Sequence, residues 1–560
     1  MGLSNRKTLI INLAVAVSFL LLSYLFIYPF ITKGILFNGD DTWYQINRIL
    51  EIKEGIKDGN FLPYVYTHSF GKIAYPLGIF YPEITIVPIA VLVLLLPHPV
   101  TGIYLGIAGY TLLSLVIVYS LLRKLGKTRS AAYIGSVLYA FSAYRTVDAF
   151  TRFALGEYIA MTFLPLCLYG FYMIVKGDRK KWVYLAIGFS GMLLSHVLTS
   201  FITALFLVIC WIISLFWDKN KLLTILALLK AVVASILASL IFLEPFLEQE
   251  LFQKYGKPTP RPLSDTAQKF SDMVISALDN STLQGWKEVF SIGFFLILVV
   301  FLGIILYEKM TTLGKRAYTI GCISFIVASN LFPWNLLENT FISVIQYPFR
   351  ILMLPTLLLA IVGADLVDTS FTKLATTNMK KISVVTVIVL GVLMMWDASV
   401  EKMFKVTEYT SQGLYTNNSS FFGGTLYTDQ YTPKKTLKYL EDIYEHTAIF
   451  DNHVRVKLTS KSVDGKQVFI SKKFKTGKKV DLPVSYYKNY TVYQGNEKLI
   501  TNISKRNTIA VVLKNKKPIS VGYEYTLLNK ICYCISIFSW LVLAYLILYK
   551  SFFTNFHKRD

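Results

Sequence analysis

"EITIVPIAVLVLLLPHP" (residues 83–99) is an apolar run held between an acid and a proline pair. From Ile84 to Leu96 it falls short of the roughly 20 residues a helix needs to cross the hydrocarbon core of a bilayer. Its reading governs everything after it, because one span more or less inverts the side of every later loop. Treated as a re-entrant or surface helix, it places "RKLGKTR" (123–129), "KGDRKK" (176–181), "DKNK" (218–221), "YEKMTTLGKR" (307–316), "TKLATTNMKK" (372–381) and "HKRD" (557–560) on the side of Arg6 and Lys7. Gathering short basic loops on one side is the positive-inside pattern, so that side is expected to be cytoplasmic.

The 560 residues are 54% hydrophobic and 16% charged, with many long apolar stretches. A polytopic α-helical membrane protein is expected, and a soluble chain is excluded. About twelve spans are predicted, near 8–30, 100–122, 131–147, 158–176, 182–196, 199–217, 223–245, 289–306, 317–332, 349–368, 382–397 and 527–549. The opening "MGLSNRK" and the run after it have the basic start of a signal peptide. That run is too long and lacks a small-residue cleavage pattern, so it reads as a retained first span. Cys167, Cys210, Cys322, Cys532 and Cys534 lie in or at the ends of apolar runs, which excludes a disulfide scaffold in the long polar segment.

The large segments 31–99, 246–288, 333–348 and 398–526 then face outward. The last carries 21 lysines and arginines against 11 acids, part of a net charge of +23. From about residue 452 its pattern alternates: "HVRVKLTSKS", a turn at Asp464–Gly465 and "QVFISKKF" predict a hairpin. "YTVYQGNEKLI", "TIAVVLKN" and "PISVGYEY" keep the period of two, so a small antiparallel β-sandwich is expected. The domain reading is 1–397 membrane domain, with the outer loop 31–99 carrying an acidic motif; 398–526 extracytoplasmic domain; and 527–560 last span and tail.

Chemistry concentrates where spans meet the outer side. "LFNGDDTWYQINRILEIKEG" (36–55) opens with Asp40 and Asp41 before a stretch whose Trp43, Ile46, Ile49, Leu50, Ile52 and Ile56 recur at helical spacing. An amphipathic helix on the outer surface is expected, with one acid capping it. The second acid then has no capping use. "SAYRTVDAFTRFALGEY" (142–158) holds Arg145, Asp148, Arg152 and Glu157, which either pair with one another or leave an arginine to grip an anion. "VIQYPFRILML" sets Arg350 after Gln346 at the outer start of a span, where it snorkels or binds phosphate. His196 in "LLSHVLTS" reads as a hydrogen-bonded supporting residue. The histidines show no metal-ligand spacing and no phosphate-cradling glycine loop is present, which argues against a zinc site and an ATP-driven pump. "NNSS" (417–420) matches a glycosylation acceptor. No nucleic-acid partner is expected, and no internal repeat suggests a transporter of inverted halves.

In order along nearly the whole chain, "NGDDTWYQINRI", "GKIAYPLGIFYPE", "VDAFTRFALGEYIAMTFLPL", "LLSHVLT", "IQYPFR" and "LPVSYYKNYTVYQGNEKLI" resemble the motifs of a bacterial multi-pass family in the GT-C glycosyltransferase superfamily. These are the YfhO-like or 6-pyruvoyl-tetrahydropterin synthase-related membrane proteins. The pterin name implies no pterin chemistry here, since the zinc-binding histidines such an enzyme needs are missing. The resemblance implies a GT-C-like fold in a bacterial cell membrane and sugar transfer outside the cytoplasm from a polyprenyl-phosphate-linked donor. Asp41 matches the family acid and takes the base role, with Asp40 the alternative. Arg350 or Arg152, with Arg145 nearby, would bind the donor phosphate, supported by Asp148, Glu157, His196 and Gln346. A divalent cation shared by Asp40 and Asp41 stays open, although most of the superfamily needs none. The acceptor would be an envelope polymer such as a teichoic-acid-like chain, a polysaccharide or a glycolipid. The basic outer domain suits an anionic acceptor and anionic membrane lipids equally. A non-enzymatic lipid or polysaccharide transporter and an envelope-assembly scaffold are the alternatives.

Overall fold

The computed structural model describes residues 3–259, 261–283, 289–371, 377–406, 415–416 and 424–556. The acceptor 417–420, part of the basic loop 372–381 and the tail 557–560 lie outside them. Each predicted span falls on a helix. Eight are long and apolar enough to cross a membrane: α1 (Leu3–Leu25), α4 (Pro99–Lys124), α6 (Leu155–Lys176), α8 (Val197–Ser214), α9 (Lys221–Phe252), α12 (Met353–Leu366, with the turn before it), α13 (Asn378–Lys405) and α14 (Leu527–Phe556). The other four are shorter: α5 (Arg129–Ala140) and α7 (Trp182–Leu193) have 12 residues, α10 (Phe294–Leu306) has 13 and α11 (Thr312–Val327) has 16. The run at 83–99 forms the nine-residue helix α3 (Val87–Leu95), packed against α4 and α2 (Thr42–Lys57) and too short to span.

The bundle has two unlike ends. At one end the short basic connections pair locally: Lys127 with Asp365, and Arg179 with Asp218 at 3.7 Å. At the other end the large segments meet. Thr266 Oγ1 donates to Gln346 O at 2.8 Å, Gln253 Nε2 to Tyr486 O at 2.6 Å, Asn60 Nδ2 to Tyr525 Oη at 2.9 Å and Tyr490 Oη to Ala74 O at 2.8 Å. The five cysteines are free.

The polar segment between α13 and α14 folds into a sandwich of two antiparallel five-stranded sheets. Its strands are β1 (Thr447–Phe450), β2 (Val454–Lys457), β3 (Thr459–Val463), β4 (Lys466–Ile470), β5 (Lys479–Ser485), β6 (Tyr490–Gln494), β7 (Glu497–Leu499), β8 (Asn502–Ile503), β9 (Thr508–Val512) and β10 (Ile519–Tyr523). The sheet orders are β8-β9-β5-β1-β2 and β3-β4-β10-β6-β7. Asp464 and Gly465, both at positive φ, turn β3 into β4 as the two-residue hairpin signal predicts. The stretch read as one strand before that turn is two: it passes between the sheets at buried Leu458. The sandwich core, with Phe469, Val480, Leu482, Val492 and Val521, runs on into Tyr64, Val65, Ile79 and Phe80 of the first large loop, 31–99. That continuity seats the domain on the loop.

The cover changes the character of α2. Ile46, Ile49, Leu50 and Ile52 face the membrane-domain core as their spacing predicts, but Tyr44, Gln45, Asn47, Arg48 and Glu51 are buried as well. The expected surface helix is therefore an interior one. Glu51 accepts the backbone N–H groups of Thr67 (3.3 Å) and His68 (2.7 Å) and the Ser69 hydroxyl (2.7 Å), tying the loop above to the helix.

Candidate active site

The acidic motif is held against the charged turn by backbone alone. The Asp41 N–H donates to Arg152 O at 3.0 Å. A Cβ on Gly39 would lie 1.8 Å from Thr151 O, so this approach admits only glycine. Thr42 Oγ1 accepts from Gly39 N–H and donates to Phe37 O, both at 2.8 Å. Opposite, Val147–Thr151 makes one π-helical turn, a local widening common at functional sites. Phe150 from this turn stacks on Phe30 at 3.8 Å, fixing the turn to the short helix Tyr28–Lys33 that follows the first span.

Neither acid caps α2. Asp41 occupies the N-cap position, yet its side chain makes no cap hydrogen bond. Asp40 is 57% exposed, with Arg152 Nε 3.8 Å from its carboxylate. The Asp41 carboxylate has no hydrogen bond or ion pair among the described residues. Burial pushes it up to about 6; Asp40 adds to the rise, while Arg152 and Arg350 oppose it.

The arginines differ in what they have left to give. Arg152 is buried, with Nη1 2.6 Å from Asp148 and 3.3 Å from Glu157 and its guanidinium 5.0 Å from the Phe349 ring. Three of the turn's four charges, Arg152, Asp148 and Glu157, thus pair with one another. Arg145 is 0% exposed and lies between the rings of Tyr158 (4.6 Å) and Tyr139 (5.0 Å), walled off from the opening. Arg350 donates from Nη1 to Ile345 O and to Gln346 Oε1, both at 3.0 Å, and has no carboxylate partner among the described residues. Gln346 sits at φ 62°, ψ −40°, with the Tyr347 N–H reaching back to Ile345 O at 2.7 Å. Such a tight three-residue turn is strained, and strain of this kind gathers at functional sites.

His196 caps α8: the Thr199 N–H donates to Nδ1 at 3.3 Å, and the Thr199 hydroxyl lies 2.7 Å from the same nitrogen. Its ring lies in the field of Glu157, Arg350 and Arg152. Asp41, Arg350, Arg152, Glu157 and His196 therefore come together, with Asp148 and Gln346 holding the arginines and Arg145 apart.

Three residues went unsingled in the sequence. Arg48 is fully buried, donating to Gln45 Oε1 at 2.8 Å and Pro82 O at 2.6 Å, with its guanidinium 4.1 Å from the Tyr81 ring centre. Tyr81 joins the charge field of Asp41 and Arg350. Exposed Arg261 lies 5.5 Å from the Tyr347 ring, beside Arg350. The available signal was a polar residue on what looked like the wet face of α2, and aromatic and basic residues in the outer loops. Two carboxylates with a guanidinium beside them make a poor cation site, and among the described residues no three His, Cys, Asp or Glu side chains are placed to hold a metal.

No protein-family model matches the chain, so neither family name given above is established for it, and no curated protein matches either. Solved structures offer distant likenesses. The arabinofuranosyltransferase AftD from Mycobacteria has a TM-score of 0.45 at 12% identity, over 73% of this chain and 27% of that one. ArnT from Cupriavidus metallidurans bound to undecaprenyl phosphate has a TM-score of 0.34 at 13% identity, over 68% and 62%. The same protein in its apo state has a TM-score of 0.26 at 12% identity, over 65% and 78%. The chain spans less than two thirds of the length of AftD and of lipid-bound ArnT, and likeness at these scores assigns no activity.

Proposed function

We propose that this chain is an inverting glycosyltransferase of the outer membrane face, moving a sugar from a polyprenyl-phosphate-linked donor to an envelope acceptor. The observation that carries the reading is an Asp41 carboxylate with no hydrogen bond or ion pair among the described residues, in the same charge field as Arg350, a guanidinium with no carboxylate partner among them. Asp41 takes the proton of the acceptor hydroxyl as its oxygen attacks the anomeric carbon. The bond from that carbon to the phosphate oxygen breaks, and the electron pair leaves with the lipid phosphate. Arg350 meets that charge through a fork already oriented by Gln346. Arg152, paired with Asp148 and Glu157, shapes the field around Asp41. One displacement by a base-activated hydroxyl inverts the anomeric centre.

The positive-inside reading of the basic connections supports a cytoplasmic opposite end and an outward-facing site, and the lysine-rich sandwich suits an anionic acceptor and anionic membrane lipids equally. A transporter would need intramembrane charges along a path; here Asp148 and Glu157 pair with Arg152 and Arg145 is enclosed by tyrosines. The test is envelope glycan analysis in a strain without the gene, complemented by wild type or Asp41→Asn. One sugar substituent should vanish in the null strain, return with wild type and stay absent with the variant. Unchanged decoration in the null strain would remove the proposal.

A further inference from the structure

Two polar groups at the site have no part in the proton transfer or the phosphate contact. They are the Tyr81 hydroxyl and the edge of the His196 ring opposite its cap. Both flank Gly156, at the start of α6: a Cβ there would lie 3.1 Å from Tyr81 Oη and 3.3 Å from His196 Cδ2. The two ring centres are 6.0 Å apart. Neither Tyr81 Oη nor His196 Nε2 has a hydrogen-bond partner among the described residues, and neither is sealed from solvent.

Both are rigid for identifiable reasons. Arg48, fixed by Gln45 and Pro82, packs on one face of the Tyr81 ring, and Tyr44 meets it edge-on at 5.8 Å. In His196 the Nδ1 atom faces two groups of Thr199, the N–H at 3.3 Å, which can only donate, and the hydroxyl at 2.7 Å, which is free to donate as well, so the cap suits an unprotonated Nδ1. An imidazolium would aim an N–H at that N–H, so the cap selects the neutral ring with its proton on Nε2. Cδ2 adjoins Nε2, which puts the N–H at the Gly156 edge beside Tyr81.

We infer that Tyr81 Oη and His196 Nε2–H form a fixed hydrogen-bonding pair that recognises hydroxyl groups of the transferred sugar. This inference rests on the glycosyltransferase reading and deepens it. His196 serves as a neutral donor, leaving the base role to Asp41. Gly156 keeps the pair open, since any larger residue fills the space between them. Sites that hydrogen-bond a substrate hydroxyl discriminate strongly, because their own groups go unpaired with the wrong ligand.

The test measures binding of undecaprenyl phosphate and of undecaprenyl-phosphate hexoses and pentoses to the full chain in nanodiscs. Tyr81→Phe keeps the ring on Arg48, and His196→Asn keeps a capping side chain while losing the reach of Nε2. Wild type should prefer at least one sugar-bearing lipid over the bare lipid. Each variant should cut that preference by about five- to tenfold, with bare-lipid affinity unchanged within twofold. If both variants retain the wild-type preference, or wild type has none, the sugar pair is refuted while the transferase reading stands. Should wild type bind none of these lipids, the proposed function fails and takes the pair with it.

Discussion

Asp365 and Asp41 are acids at opposite ends of the bundle, and their surroundings could hardly differ more. Asp365, in α12, has no exposed surface; it pairs with Lys127 and accepts the Thr311 N–H at 2.9 Å and hydroxyl at 2.6 Å. Asp41 is drawn into the fold by its backbone, and its carboxylate has no partner among the described residues. A buried charge whose valences are filled holds structure, since removing one partner strands the other. A charge kept unfilled at the cost of stability is available for chemistry. The same contrast separates Arg152, held by two acids, from Arg350, held by an amide and a carbonyl.

The largest effect should come from breaking the saturated end. Asp365→Ala leaves Lys127 buried without a counter-ion and should cost about 3–5 kcal/mol, seen as a lower unfolding midpoint in nanodiscs. A Lys127→Met/Asp365→Leu double variant should recover most of that loss, as apolar pairs replace buried ion pairs well. If it proves no better than the single variant, the ion pair has a role beyond filling space.

Much of this contrast was hidden in the sequence for physical reasons. Apolar runs located the helices, and the basic connections sorted the two ends, because hydropathy and charge are local. Asp464–Gly465 announced its hairpin for the same reason. The interior position of α2 was not legible: its second cover comes from loop 62–83 and from Tyr431, Ile443 and Tyr444, hundreds of residues away, so Gln45, Arg48 and Glu51 read as a wet face. The charged turn 142–158 offered four ions without saying which were paired. Asp148 and Glu157 close on Arg152 through the π-turn, Arg145 is enclosed by tyrosines, and Arg350, a distant residue, has no carboxylate partner among the described residues.

Next in size is Arg350→Ala, which should lower transfer by about a hundred- to a thousandfold. Its melting temperature should stay near wild type. Arg350→Lys should recover only part, because an ammonium cannot keep the Gln346 contact and face an anion as the guanidinium fork does. A large loss of stability in either variant would move Arg350 to the structural side of the comparison.

The pH dependence should show Asp41 directly. A base must be ionised, so transfer should fall about tenfold per unit as pH drops below about 6. Stability runs the other way. With its folded value raised above the ordinary 3.8, Asp41 adds no cost at low pH, and the cost grows as pH rises through about 6. Asp41→Asn should therefore stabilise the protein at pH 7.5 by about 1 kcal/mol, given that the carboxylate keeps a partly open face, and by almost nothing at pH 4.

Asp40→Asn should have the smallest effect. Its side chain is half exposed and 3.8 Å from Arg152 Nε, a contact worth less than about 1 kcal/mol. Transfer should change by less than about threefold. A loss as large as that of Asp41→Asn would make the two acids a working pair.

The most direct measurement is the single-turnover transfer rate of purified wild type and Asp41→Asn, with undecaprenyl-phosphate binding followed in the same samples. A base assignment predicts a rate lower by about a hundred- to ten-thousandfold in the variant, with binding unchanged within twofold. Wild-type transfer by the variant, or a loss explained entirely by weaker lipid binding, would contradict it.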